Sequence, residues 1–382
     1  MKMKILSPLI ILLSFSFLVK GQSLEKQKNC IITSNYKYLE INNAAKRCWD
    51  QRENSIKIDY RIKPLSKSSL IYENAYKSKG VYLNYKLGNI DLDFEKFSEL
   101  EYLMISYIDS LPESIGKLKS LKVLIIDEAK KIESIPDFIG NLTNLEILSI
   151  DLADNITYLT PEIENLTNLR ELYLERFHSL PSNPEIDFSK FPKLEKLLLD
   201  DNFPDFLNES ILGCKNLKEL YTQLYQEYIS ELKNLQLLAI NSIGEETNLK
   251  SISKLSKLEE LFIIGSYRKK VIDPSISKLS KLKNLGICFS FTKTQINSIE
   301  LTFPELEYFY IWSRNLDEFP KYNMPKLKYL KLKIVREDNL IAIPKSLLGY
   351  KNLEYVDLTG KGIGKIDFEV SEASFKIFKS KF

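Results

Sequence analysis

The sequence predicts an α/β fold in which short parallel strands alternate with short turns and stack into a repeat solenoid. The pattern L-x-x-L-x-L recurs twelve times in this 382-residue chain, 18 to 26 residues apart. A fixed period in this range is typical of solenoids. Asn-Leu-Thr-Asn-Leu at 141–145 recurs at 165–169, and Ser-Lys-Leu-Ser-Lys-Leu at 253–258 recurs at 277–282. The pattern begins at Leu100, Leu121, Leu145, Leu169, Leu194, Leu217, Leu235, Leu258, Leu282, Leu306, Leu327 and Leu353.

Each pattern predicts one strand and the turn that follows it. Positions four and six of the frame are apolar and alternate with variable positions, which indicates a half-buried strand. Proline then ends the strand, as in Leu111-Pro112 and Ile135-Pro136. The apolar residues that follow lie three or four apart, which suits a helical or 3₁₀ turn on the outer face. The strands should form a curved parallel sheet on the concave face, with the turns on the convex face.

These units resemble the leucine-rich repeat superfamily, and L-P-x-x-I-G-x-L looks most like its Ras-suppressor or SHOC2-like subclass. The resemblance covers about three quarters of the chain and suggests an exported bacterial member. One departure concerns the ninth frame position, where the family usually has an asparagine that bonds neighbouring backbones. Here that position holds residues such as Ile108, Ala129 and Phe177, so regular curvature is in doubt. The 18-residue unit from Leu217 to Leu235 is expected to be an irregular turn.

The N-terminus is typical of a secretory signal peptide. Lys2 and Lys4 precede an apolar stretch from Ile5 to Val19, and we expect cleavage after Gly21. The stretch is shorter than the ~20 residues that span a bilayer, although an uncleaved anchor is the alternative. The mature chain should have no membrane span and should be a secreted or cell-envelope protein, in the periplasm or on the outer surface.

The remaining segments form one elongated domain. We divide the chain into a signal peptide (1–21), an N-terminal cap (22–77), leucine-rich repeats (78–362) and a C-terminal cap (363–382). Residues 35–49 have helical spacing, and Val81 to Leu83 should form a first, degenerate strand.

The four cysteines predict one disulfide. Cys30 and Cys48 are the pair in the cap, and we expect them to be bridged. Cys214 replaces a turn leucine and should be a core residue, whereas Cys288 should point into the concave face. These two lie about three repeats apart, roughly 15 Å, which is too far for a bridge that needs Cα atoms within ~7 Å.

Composition and motifs argue against several functions. Basic and acidic residues number 54 and 51, so the charge excess of a nucleic-acid binder is missing. The single histidine, His178, cannot build a His-x-x-x-His zinc site, and it lies where a strand ends. There is no G-x-S-x-G motif, P-loop or G-x-G-x-x-G motif. We therefore predict no catalytic residues, no metal and no cofactor, and we expect a monomer.

The frame places two columns of side chains on the concave face. The seventh positions of four successive repeats are acidic and would stand about 5 Å apart. Such a row favours a basic ligand, although solvent screening also allows an ordinary polar face. These residues are Asp127, Asp151, Glu175 and Asp200.

Aromatic residues and then lysines follow along the same face. Exposed aromatics are enriched at protein-binding surfaces, although β-strand propensity alone would also favour them. The candidate binding residues are Tyr173, Tyr221, Phe262, Tyr308, Tyr310 and Trp312, followed by Lys331 and Lys333. Tyr329 and Tyr355 share the third frame position with Tyr308 and belong to the same aromatic cluster.

We interpret the chain as an exported, non-enzymatic binding protein that holds a protein or peptide ligand on its concave face. The alternative is a surface adhesin or glycan-binding protein, with the aromatic cluster as its sugar platform. A hydrolytic enzyme is the third interpretation, and the single histidine disfavours it.

Overall fold

The computed structural model describes residues 55–59, 76, 79–84, 93–151, 153–175, 177, 179–180, 185–199, 207–243, 249–265, 273–288, 301–313, 322–334, 341–360, 363–367 and 369–380. The predicted signal peptide, the expected helix at 35–49 and the expected Cys30–Cys48 bridge lie outside these residues, as do His178 and Asp200. The chain forms two compact units, of which the N-terminal one ends at Gln223 and the C-terminal one begins at Leu224.

Strands of the N-terminal unit pair in parallel, in the order β1-β2-β3-β4-β6-β8-β9-β10. The short strands β5 and β7 pair separately. The predicted strand at Val81 to Leu83 is confirmed as β2. The strands are β1 (Ser55–Asp59), β2 (Gly80–Asn84), β3 (Tyr102–Ser106), β4 (Val123–Asp127), β5 (Ser134–Ile135), β6 (Ile147–Ile150), β7 (Tyr158–Leu159), β8 (Glu171–Leu174), β9 (Lys196–Leu199) and β10 (Glu219–Leu224).

Strands of the C-terminal unit are also parallel, in the order β11-β12-β13-β14-β15-β17-β19, with β16 and β18 as a separate pair. The last strand extends the sheet into the segment that we expected to be the C-terminal cap. The strands are β11 (Leu237–Ile243), β12 (Glu260–Gly265), β13 (Asn284–Cys288), β14 (Tyr308–Ser313), β15 (Tyr329–Ile334), β16 (Ile341–Ile343), β17 (Tyr355–Thr359), β18 (Ile363–Ile366) and β19 (Lys376–Ser380).

The described residues just before β14 and β15 contain no 3₁₀ helix, but eleven other connecting turns are 3₁₀ helices of three to five residues, as the apolar spacing predicts. Each ends with a backbone N–H that donates three residues back, as Leu118 does to Ile115 at 3.0 Å. They are Phe94–Lys96, Glu113–Lys117, Asp137–Asn141, Pro161–Asn165, Phe188–Lys190, Glu209–Gly213, Glu227–Glu231, Lys250–Lys254, Pro274–Lys278, Lys345–Gly349 and Val370–Glu372.

The frame leucines form the core, and the register keeps equivalent positions side by side. Leu124 pairs with Leu148, which pairs with Leu172, and all three are completely buried. In the 18-residue unit only two residues separate β10 from the turn Glu227–Glu231. That unit is shortened in its connection, and both its strand and its turn are kept.

Asparagines at an unexpected position connect the repeats. The residue just before the first frame leucine donates its side-chain amide to a backbone carbonyl of the preceding repeat. Asn144 bonds Lys119 at 2.8 Å, Asn168 bonds Thr143 at 2.8 Å, and Asn216 and Asn352 make the equivalent bonds at 2.9 and 2.8 Å. Four ninth positions are instead apolar and buried, namely Ile108, Ala129, Ala153 and Phe177. The missing family asparagine therefore does not disturb the strand pairing, because other amides link the repeats.

Candidate binding face

Frame positions three, five and seven share one face of each sheet, opposite the face that positions four and six turn into the core. We call it the variable face. The register aligns its columns, so that Cys288 pairs with Trp312, which pairs with Lys333. Neighbouring residues in a column are therefore about 4.8 Å apart.

The acidic column is buried where the structure describes it. Asp127, Asp151 and Glu175 expose only 4%, 6% and 1% of their surface, and Ser106 donates a hydrogen bond to the Asp127 carboxylate at 3.1 Å. The expectation of a solvent-facing acidic row is therefore wrong for these three residues. Ligand contact by the column, including Asp200, stays a prediction.

The aromatic column is a stack of rings in the third frame position. Tyr308 and Tyr329 have ring centroids 4.5 Å apart with 4° between their planes, and Tyr329 and Tyr355 follow at 5.1 Å and 7°. Phe378 continues the stack at 6.1 Å from Tyr355. The register explains the stacking of the three tyrosines, because they pair with one another on neighbouring parallel strands. Phe378 is instead in register with Asp357. All three tyrosines belong to the aromatic cluster that the sequence predicts. Tyr308 is only 6% exposed, and Tyr329 and Tyr355 are half-buried.

Other predicted aromatic residues are less exposed than we expected. Phe262 and Tyr310 are completely or almost completely buried, and Tyr221 is 6% exposed. Burial raises the pKa of Tyr310 well above its ordinary value. Tyr173 is half-buried and donates a hydrogen bond to Glu171 at 2.6 Å.

The lysines at the end of the C-terminal unit have defined partners. Lys331 pairs with Asp357 at 3.0 Å, and the Lys333 ammonium lies 5.9 Å from the centre of the Trp312 ring. Burial, followed by repulsion from Lys331, lowers the pKa of Lys333. The basic end of the face is therefore partly neutralised within the fold.

The second frame position carries a row of alternating charges that the sequence analysis missed. Glu101 accepts ion pairs from Lys79 at 3.1 Å and Lys122 at 2.9 Å, which lower its pKa to about 2. Glu195 pairs likewise with Arg170 and Lys218. The sequence alone predicts this row, since the charges at the second frame position alternate in sign in both units. We call this row the charge ladder: Lys79, Glu101, Lys122, Glu146, Arg170, Glu195 and Lys218 in the N-terminal unit, and Glu259, Lys283, Glu307, Lys328 and Glu354 in the C-terminal unit.

A shallow groove of about 780 Å³ follows the charge ladder of the N-terminal unit, lined by Glu101, Lys122, Glu146 and Arg170 among others. The Glu101 carboxylate already has two lysine partners, so charged side chains that line the groove form ion pairs with each other.

Both described cysteines are free and buried, which confirms that Cys214 and Cys288 do not pair. Cys214 is a core residue as predicted, and its thiol lies 3.1 Å from the Phe188 carbonyl. Burial raises the pKa of Cys214 to about 12, so its thiol stays protonated at neutral pH. Among the described residues no group of three or more His, Cys, Asp or Glu could hold a metal ion. None of the helices in the described part of the chain is long and apolar enough to cross a membrane.

Comparison with known proteins agrees with this architecture. Residues 84–200 match a family model described as a leucine-rich repeat region. A search of curated proteins finds no relative that matches the chain. An internalin from Listeria monocytogenes is similar in structure, with a TM-score of 0.55 and 17% identity over 79% of this chain and 92% of the internalin.

A leucine-rich repeat protein of Leptospira interrogans has a TM-score of 0.51 and 18% identity, over 84% of this chain and 95% of that protein. At these identities the similarity concerns the fold. The repeat frame and the parallel pairing of equal positions show that the chain has the fold of a leucine-rich repeat solenoid, and the family model matches its residues 84–200.

Proposed function

We propose that this chain is an exported, non-enzymatic binding protein that holds a protein or peptide ligand on its variable face. The observation that carries the proposal is the ring stack Tyr308–Tyr329–Tyr355, with Trp312 beside it on the same face. Tyrosine and tryptophan are enriched among residues that dominate protein-binding energy. Stacked rings are already ordered, so these side chains lose little conformational freedom when a ligand binds them.

The stack favours a protein ligand over a glycan. Sugars pack against exposed ring faces, but the faces of Tyr329 are covered by Tyr308 on one side and Tyr355 on the other. The Tyr329 hydroxyl already donates to Glu354 at 3.2 Å. Tyr329 and Tyr355 are half-buried, and their ring edges suit the mixed polar and apolar contacts of a protein interface. The adhesin or glycan-binding alternative would depend on Trp312, whose ring has Lys333 nearby.

Three further parts of the proposal rest on sequence. Export and the signal peptide (1–21) rest on the charged start and apolar stretch. The N-terminal cap (22–77), the repeats (78–362) and the C-terminal cap (363–382) follow from where the frame begins and ends. The Ras-suppressor-like subclass rests on the L-P-x-x-I-G motif.

The experiment is a cross-linking capture of partners from the organism's own exported proteins, with the chain purified without its first 21 residues and used as bait. We expect a partner that the wild type retains and that Trp312→Ala and Tyr329→Ala each lose. Tyr158→Ala is the matched control, because Tyr158 is 48% exposed on the short strand β7, outside the variable face. A partner that all three variants retain equally would contradict binding at the ring stack, and capture of polysaccharide alone would favour the glycan alternative.

A further inference from the structure

In the C-terminal unit Gly286 interrupts the column of side chains in the fifth frame position, and we call this interruption the gap at Gly286. Strand pairing places Phe262 on one side of Gly286 and Tyr310 on the other. Both rings are buried, at 0% and 1% exposure. A glycine within a strand often marks a point where a ligand or another backbone approaches closely.

Asn284 lies on the same strand and the same face, two residues before Gly286. Its side chain is completely buried, and neither its amide nitrogen nor its amide oxygen has a hydrogen-bond partner. A buried amide without partners destabilises a fold, and natural proteins seldom keep one without a reason. The four asparagines that link the repeats are used differently, since each donates to a backbone carbonyl.

A second unpaired donor lies nearby on the neighbouring strand. The Trp312 indole N–H is also buried without a partner. Trp312 is paired in register with Cys288, two residues after Gly286. Asn284 and Trp312 therefore flank the gap at Gly286, each about 6.6 Å from it along the strand direction.

We propose that Asn284, Gly286 and Trp312 form a subsite for the main chain of an extended peptide, a proposal that rests on the protein-binding function above. In an extended chain the N–H and C=O of one residue point to the same side, as in an antiparallel ladder. A carboxamide has one acceptor and one donor group to match them. Gly286 has no side chain to oppose the peptide backbone, and the Trp312 N–H donates to a second peptide carbonyl.

The pairing of donor and acceptor selects the ligand class. A carboxylate or a phosphate has acceptors but no donors, so it would leave the Asn284 oxygen unpaired. A peptide group satisfies both atoms at once. Because the side chain is buried, we expect rings of the face to change rotamer as the peptide enters, which is common at interfaces.

The first test separates a binding residue from a structural one by stability. Asn284→Leu removes the unpaired amide and keeps similar volume, so we expect a higher Tm. Asn352→Leu is the matched control, because Asn352 donates to the Pro325 carbonyl at 2.8 Å, and there we expect a lower Tm. A lower Tm for Asn284→Leu would overturn the proposal, since it would show that the fold uses this amide.

The second test measures binding. A pool of random peptides is selected on the wild-type chain, and the best peptide is then measured on the wild type and on Asn284→Leu. We expect about tenfold weaker binding to the variant, because one amide pair is worth about 1.4 kcal/mol, equivalent to that factor. A version of the peptide N-methylated at the paired residue should lose affinity for the wild type and lose almost none for Asn284→Leu.

The outcomes distinguish the two proposals. Equal loss from N-methylation in both proteins, or unchanged affinity in Asn284→Leu, would overturn the subsite and leave the binding function standing. A selection that yields no binding peptide would overturn the subsite, while the capture of an exported protein partner that depends on Trp312 would still support the binding function.

Discussion

Individual carboxylates in this protein owe their properties to their place in the repeat. Glu101 occupies a second frame position between two basic neighbours of the charge ladder, and its side chain is 15% exposed. The lysine contacts outweigh burial and lower its pKa from 4.5 to about 2. A depressed pKa means that the folded state holds the proton less tightly than the unfolded state. The resulting stability is present above pH 4.5 and is lost as the pH falls towards 2.

We therefore predict that Glu101→Gln destabilises the protein by about 1–2 kcal/mol at pH 7, after allowance for the exposed lysine partners. The difference from the wild type should shrink as the pH falls from 4.5 towards 2, as measured by denaturant unfolding across this range. Glu99→Gln is the control, since Glu99 is an exposed neighbour on the same groove. A Glu101→Gln effect that stays constant down to the lowest pH would contradict an ionic origin.

The sequence correctly predicted which residues of the frame lie in the core, but it did not predict how exposed the side chains of the variable face are. The core leucines, the free buried Cys214 and the strand at Val81 were all foreseen, because period and apolarity determine them. The burial of Asp127, Phe262 and Tyr310 was not foreseen. The frame position of a residue predicts the face of the sheet on which its side chain lies. The exposure of that side chain depends on contacts with residues that are distant in the sequence.

At the scale of elements, the 3₁₀ turns must pack tightly for the repeats to stack. Gly140 ends the Ile-Gly motif of one turn, and a Cβ there would stand 2.4 Å from the Glu162 carbonyl oxygen of the next turn. Gly349 lies one position later, at the end of the turn Lys345–Gly349, and a Cβ there would have no atom within 4 Å. Glycine therefore has a packing role in one turn and none in the other.

This contrast gives a matched pair of substitutions. We predict that Gly140→Ala destabilises the N-terminal unit by about 1–3 kcal/mol, because the backbone of two turns must separate. Gly349→Ala should be neutral or stabilise by up to about 1 kcal/mol, through a smaller unfolded-state entropy. Thermal and urea unfolding of both variants would measure the difference. Equal destabilisation by the two alanines would show that the glycines serve backbone conformation and not close packing.

At the scale of the whole molecule, the repeat order carries a charge alternation that the period alone does not require. The frame leucines place no restriction on the order of the repeats, because each repeat pairs the same frame positions with its neighbour in the described strands. The charge ladder is more restrictive, because acidic and basic second positions alternate from Lys79 to Lys218. Exposed ion pairs contribute little individually, about 0–1 kcal/mol, but the alternation extends over many repeats.

Deletion of repeats separates these two requirements. Removal of residues 145–168 joins Asn144 to Leu169, which restores the frame but places Lys122 beside Arg170. Removal of residues 145–193 joins Asn144 to Leu194 and places Lys122 beside Glu195, so the alternation is kept. Both proteins should fold, since a solenoid is stabilised by contacts between neighbouring repeats.

We predict that the two deletions respond to salt in opposite ways. The Tm of the one-repeat deletion should rise between about 0.01 M and about 1 M NaCl, because salt screens the new repulsion between Lys122 and Arg170. The Tm of the two-repeat deletion should stay level or fall, because salt weakens attractive pairs. Thermal unfolding followed by circular dichroism at both salt concentrations would measure these changes in Tm. The controls are the wild type and the one-repeat deletion that also carries Lys122→Gln. The same salt response in both deletions would mean that leucine stacking alone fixes the order of the repeats, and that the charge ladder is incidental to it.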